Sequence, residues 1–266
     1  MHAVGSPAVR AALARCGLSR FPAYVWSRAA VLGEPAPALV VAAFAVFRPE
    51  HLRAAYEAGR AACPRPTLLR VREESVVRSL HAVLDPVLAD GSAEVDVVLG
   101  ALSPALRRLR HEGRSLSAGL AGLPMPIDPL GRLWRACELL REHRGDGHVN
   151  AWTGVGLDPV EANLLTELWI AGTAGPYTRT RGWSQDDVTA ALRRLDDRGL
   201  AADGALTDEG RALRDAVEDA TDRGEAAVVE ALGHDLDELV AVLSGWSQQC
   251  IDAGTFTADP FKRAAG

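Results

Sequence analysis

Residues 142–148 read Glu-His-Arg-Gly-Asp-Gly-His, which puts two imidazoles, two carboxylates and a guanidinium on two turns of chain. Imidazole moves protons near neutral pH, a neighbouring carboxylate orients it and raises its basicity, and arginine holds a carboxylate, phosphate or enolate oxygen. The chemistry expected of such a set is acid/base turnover of a small organic molecule, of the isomerase, cyclase or lyase type. His143, His148, Asp146 and Glu142 are the catalytic candidates, and Arg144 and Asn150 the substrate-binding ones. Trp152, one turn beyond His148, is placed to floor a pocket. This chemistry needs no cofactor, and no P-loop, GxSxG, HExxH or GxGxxG occurs in a meaningful context. His143 and His148 stand about 140° apart on a helix of 3.6 residues per turn, so they reach one metal ion only if the helix breaks at Gly145; no metal is expected.

The element that carries these residues reads as one helix from Leu130 to about Thr153. Leu130, Leu133, Cys137 and Leu140 form an apolar stripe that turns polar at Arg144 and His148, and a parallel row runs Ala136, Leu139, His143, Asp146, Asn150. Gly145 and Gly147 each cost a helix about 1 kcal/mol relative to alanine, so another backbone or a ligand is expected to pass close. Two arrangements satisfy buried charges here. One is a structural network in which Arg144 pairs with Glu142, Asp146 or a carboxylate from another helix; the other is a pocket between two halves of the molecule.

Around that helix the chain reads almost wholly helical. Apolar residues recur at threes and fours over 7–15, 23–32, 37–46, 49–62, 68–84 and 93–112, and the proline-rich stretch 113–129 is the best internal linker. Beyond Gly156, Asp158 and Pro159 start a helix to about Ala171, and Ser184 opens a capping box for a second helix ending at Gly199. Asp203-Gly204 is a hairpin turn, and Thr207 caps a helix expected to reach about Leu232. Helix, helix, hairpin, long helix is the order of a winged helix. The fold class is therefore mainly α, with an all-helical domain over 1–155 and a winged-helix domain with C-terminal helices over 156–266.

A chain of 266 residues, 48% hydrophobic and 24% charged, builds a real core and is neither disordered nor fibrous. Its longest apolar run, 36–47, is too short to span a membrane, and the first residues lack a signal-peptide pattern, so a cytoplasmic protein is expected. Cys16, Cys63, Cys137 and Cys250 show no metal or disulfide spacing and are expected reduced and buried.

Arg198-Gly199-Leu200, the hairpin, and Leu206-Thr207 with Gly210 and Leu213 resemble the recognition helix, wing and following helix of MarR-like winged-helix proteins. Over nearly its whole length the chain is similar to an actinobacterial helix-turn-helix family, some of whose members sit in natural-product gene clusters. The blocks at 139–148 and 179–184 carry that likeness. In the second block Arg179, Arg181 and Trp183 are placed either to bind an anion at a helix N-terminus or to form interface salt bridges. The resemblance implies a ligand-sensing transcriptional regulator as the alternative to an enzyme, and pairing of two copies through an apolar face of 225–251. Residues 184–210 hold three cations, Arg193, Arg194 and Arg198, against seven anions, which opposes phosphate binding. DNA is therefore not expected as the main partner; a small organic ligand is, with a homodimer and no membrane.

Overall fold

The computed structural model describes residues 5–256, so the outer ends of both expected domains, 1–4 and 257–266, lie outside the described residues. Prolines set the helix starts of the first half. Four of its helices carry proline at their first or second position, where the missing N–H removes no bond: α1 (Pro7–Arg15), α3 (Pro37–Phe44), α4 (Pro49–Ala62) and α5 (Arg65–Leu84). Between α1 and α3 runs α2 (Arg20–Ala29), continued by a short 3-10 turn over Ala30–Leu32. Helix α6 (Ser92–Leu106) ends six residues before the expected 112, with Pro104 inside its last turn.

The stretch expected as a linker contains a helix of its own, α7 (Ser115–Ala121). What rescues it is long-range: the Ser117 N–H, in the first turn, donates to the Asp146 carboxylate at 3.0 Å. Helix α8 (Pro129–Gly154) then runs unbroken through both glycines. Asp128 caps it by accepting from the Gly131 N–H.

The second half follows its sequence signals closely. Asp158 with Glu161 forms a capping box on α9 (Pro159–Ala171), and Ser184 with Asp187 one on α11 (Gln185–Asp197), with the single-turn α10 (Pro176–Thr180) between them. Strands β1 (Ala201–Ala202) and β2 (Ala205–Leu206) pair antiparallel, Ala201 opposite Leu206. Asp203 and Gly204 both take positive φ, as a two-residue hairpin turn requires. Thr207 caps α12 (Asp208–Arg223) through the Gly210 N–H.

Instead of continuing to 232, α12 stops at Gly224, whose carbonyl accepts from Arg114, and the chain restarts as α13 (Ala226–Leu232) and α14 (Leu236–Asp252). These last helices return to the first half: α13 packs on α6, α14 on α5. Leu239, Trp246 and Cys250 join a core that otherwise runs from Val9 to Leu139, while a second core runs from Trp152 to Val217. The apolar face expected to pair two copies is thus used largely within the chain, leaving Val229 and Val240 exposed. Cys63 and Cys250 are buried as expected, but Cys137 is exposed, on the wall of an apolar cavity of about 230 Å³ between α5, α8 and α14. No helix among the described residues is long and apolar enough to cross a membrane.

Candidate functional site

Helix α8 belongs to both cores: Leu130, Leu133, Trp134, Ala136 and Leu139 lie in the first, Trp152 in the second. Between these anchors, where the stripe turns polar, it borders a cleft of about 510 Å³. The opposite walls come from Tyr24 and Arg28 on α2, Phe44 and Phe47 around the end of α3, Ala162, Asn163 and Thr166 on α9, Tyr177 and Arg181, and Arg214 and Glu218 on α12. Gly145 faces open space, with nothing within 4 Å of where a Cβ would stand. Beside Gly147 it is a side chain, not a backbone or a ligand, that passes close: the Arg114 guanidinium lies 3.3 Å from its would-be Cβ.

Four of the expected residues on α8, Glu142, Arg144, Asp146 and His148, line this cleft together with Trp152. Glu142 is buried and held by Arg28 through two bonds of 3.1 and 2.8 Å, and by Arg141 through a third. Burial alone would raise its pKa, but Arg28 and Arg141 outweigh it and bring the carboxyl down to about 2. Asp146 goes the other way. Burial dominates, the Ser117 N–H only partly compensates, the Glu142 charge adds to the rise, and its pKa is pushed up to about 6. His148 is brought down to about 4, by burial first and then by Arg214 and Arg144, against the opposing pull of Glu218. Its Nδ1 meets the Thr221 hydroxyl at 3.1 Å. Arg144 stands at the rim, bonded to Glu218 at 2.7 Å and Asp222 at 3.4 Å, a carboxylate pair from another helix. Trp152 is buried and lines the cleft, and among the described residues its Nε1 has no hydrogen-bond partner.

The structure places the remaining candidates elsewhere. His143 lies outside the cleft lining. It is buried, with Nδ1 on the Glu225 carboxylate at 2.7 Å and Nε2 on the Arg110 carbonyl at 3.0 Å, which leaves neither ring nitrogen for a ligand. Arg114 closes that network by donating to the His143 carbonyl at 2.8 Å and to Glu225 at 2.6 Å. Neither Glu142 nor Asp146 bonds to a histidine; the carboxylates beside the rings are Glu225 and Glu218. Asn150 is exposed and donates to the Gly113 carbonyl. Arg179 is exposed outside the cleft, and Trp183 spends its indole N–H on the Val46 carbonyl. Of the second block only Arg181 reaches the cleft.

Among the lining residues that the sequence reading did not find are Tyr24, Arg28, Tyr177, Arg214 and Glu218. Tyr24 and Arg28 sit four apart on one helix face, the one available signal, and the Arg28 guanidinium donates to the Tyr24 oxygen at 2.7 Å. Burial raises the Tyr24 pKa, yet Arg28, Arg181 and Arg141 together leave it below the ordinary phenol value. Arg214 bonds to Glu218 one turn on and stacks on Trp169.

On the helix-turn-helix surface the cations are largely committed. Arg194 pairs with Asp158 and Glu161, and Arg198 with Glu161 at 2.9 Å. Arg193 is exposed. Among the described residues no group of three His, Cys, Asp or Glu side chains is disposed to hold a metal ion.

A helix-turn-helix family matches residues 1–257 of the sequence, and the chain belongs to that family. No curated protein and no solved structure matches it. Membership brings a DNA-binding type of scaffold, which fits the regulator alternative more closely than the enzyme and makes DNA a candidate partner, where the acidic motif argues against it as the main one.

Proposed function

We propose that this member of the helix-turn-helix family is a ligand-responsive regulator, in which a small organic molecule in the α8 cleft controls what the MarR-like winged helix binds. The observation that carries the reading is the make-up of the cleft walls. A ligand there touches α8 and, at the same time, α12, the helix that leaves the hairpin. The two helices are tied to each other by Arg144 to Glu218 and Asp222 and by His148 to Thr221. A molecule that competes for Arg144, Arg214 or Glu218 interacts differently with the tied and released arrangements, which is what coupling between a pocket and a distant surface requires. The acidic motif argues that any DNA complex is weak and releases few counterions.

The test is fluorescence anisotropy of the full chain with genomic DNA fragments at low salt, with and without the small-molecule fraction released from freshly purified protein. A complex whose affinity changes about 10-fold with that fraction supports the regulator. The absence of any DNA complex in both conditions overturns it.

Catalysis is the second reading, and a specific observation favours it. Asp146, His148 and Tyr24 face one cleft with their pKa values displaced in directions that separate acid from base. His148, neutral at physiological pH, would accept a proton and Asp146 or Tyr24 would return one, in an isomerase, cyclase or lyase reaction. Conversion of the co-purified molecule, lost in His148→Gln with the fold intact, would decide for this reading.

A further inference from the structure

The cleft is lined by five arginines, Arg28, Arg141, Arg144, Arg181 and Arg214, and by three carboxylates, Glu142, Asp146 and Glu218. Glu142 serves Arg28 and Arg141, Glu218 serves Arg144 and Arg214, and Asp146 is occupied by the Ser117 N–H. Arg181 is left over: among the described residues it enters no ion pair. Its guanidinium lies against two aromatic rings, 4.6 Å from the centre of Phe47 and 4.4 Å from that of Tyr177. Its backbone is fixed as well, the carbonyl accepting from the Arg48 N–H at 3.0 Å and the N–H donating to the Thr178 carbonyl.

Resting on the reading of the cleft as a ligand site, we propose that its ligand is a small organic carboxylate, with the anion held edge-on by Arg181 and by the Tyr24 hydroxyl. A guanidinium set against two aromatic rings keeps its N–H edge to offer, the buried Arg181 Nε has no hydrogen-bond partner among the described residues, and such an edge matches a carboxylate. Because the Tyr24 oxygen already accepts from Arg28, its O–H is left to donate. Phe44, Phe47, Leu140, Val149 and Trp152 supply apolar wall for an organic body, which free phosphate would leave uncovered. An unpaired guanidinium at this depth also carries a cost. A partly buried cation without a counter-charge destabilises the protein, and an arginine retained for stability alone would be paired.

Binding and stability of Arg181→Met and Arg181→Lys test this together on the full chain. Methionine packs against the rings without charge, and lysine keeps the charge without the fork. The probes are hexanoate and cinnamate, their neutral amides, and inorganic phosphate, read by Trp152 fluorescence with Trp152→Phe as the control. Both acids are expected to bind in the millimolar range or tighter, each at least about 10-fold more tightly than its amide. Arg181→Met should lose that preference while melting at or above the wild-type temperature, and Arg181→Lys should retain part of it. Amides binding as well as acids, or acid binding unchanged in Arg181→Met, overturns the anion site but leaves the cleft as a ligand site. No acid binding up to about 10 mM also overturns it. If phosphate competes with the acids at equal strength, the organic carboxylate gives way to a plain anion. Fluorescence indifferent to every probe and to the co-purified fraction refutes the cleft reading itself.

Discussion

Replacing Glu142 by glutamine tests how the cleft is held together. The carboxyl is buried, bonded to Arg28 and Arg141, and displaced from an ordinary 4.5 to about 2, which corresponds to roughly 3 kcal/mol of stability at neutral pH. That stability is present above pH 4.5 and is lost as the pH falls through about 2. Glutamine also strands Arg28, and removing one partner of a buried pair costs roughly 3–5 kcal/mol, an overlapping rather than additional loss. For a chain of 266 residues the expected fall in melting temperature is on the order of 10 °C. Denaturant unfolding near pH 3 should show the difference smaller than at neutral pH by roughly 2 kcal/mol, because the unfolded carboxyl is already protonated there while the folded one is still largely ionised. The partner variant Arg28→Met supplies the control, since methionine keeps the packing against Phe44, whose ring lies 4.8 Å from the guanidinium. The double variant should return to within about 1 kcal/mol of wild type, giving a coupling energy of about 2 kcal/mol or more. A Glu142→Gln loss below about 1 kcal/mol, or a difference already gone at pH 4, would refute the buried ion pair as the organiser of the cleft.

Asp146→Asn keeps an oxygen for the Ser117 N–H and removes a charge that burial opposes. Since the folded carboxyl holds its proton up to about 6, its stabilisation is complete below 3.8 and lost as the pH rises through 6. The variant should therefore be more stable than wild type by roughly 2–3 kcal/mol above pH 7 and indistinguishable below pH 4, checked by urea unfolding. Gly145→Leu places a side chain into open cleft, so thermal stability should hold or rise slightly while binding of the co-purified ligand is lost. Gly210→Ala sets a Cβ 1.9 Å from the Leu200 carbonyl oxygen, and should cost roughly 3 kcal/mol by prising the hairpin off α12; a near-neutral effect would show that contact to be loose.

Local signals were legible wherever the structure is built locally. Asp158, Ser184 and Thr207 cap the helices they were expected to cap, Asp203-Gly204 makes the hairpin turn, and proline starts survive to the residue in α1, α3 and α4. What failed was decided by partners remote in sequence. Helix α7 exists inside a proline-rich stretch because Asp146 reaches its first turn, and α12 ends at Gly224 because Arg114 takes that carbonyl. The block at 142–148 was readable as a set of buried polar residues but not as the two groups it forms. One helix turns His143 toward Arg110 and Glu225 and His148 toward Thr221, and no spacing rule names either neighbour. Tyr24 and Arg28 lie more than 110 residues from Glu142 along the chain, and only the packing of α2 against the polar half of α8 brings them there.

The arginines of the helix-turn-helix unit show where its positive charge is spent. Arg194 and Arg198 turn back to Glu161, which is buried in α9, and Arg214 turns to Glu218 at the cleft. Arg181, just before the capping box of α11, points into the cleft against two aromatic rings rather than out toward a nucleic-acid backbone. Phosphate binding depends on cations that face solvent and release counterions, and buried or paired guanidinium groups contribute little to it. The helix-turn-helix scaffold has here drawn much of its positive charge inward, toward Glu161 and the cleft. Restoring cations on the outer face, for example Asp186→Lys with Asp187→Asn, should therefore raise DNA affinity without changing ligand affinity, since both positions lie outside the cleft lining.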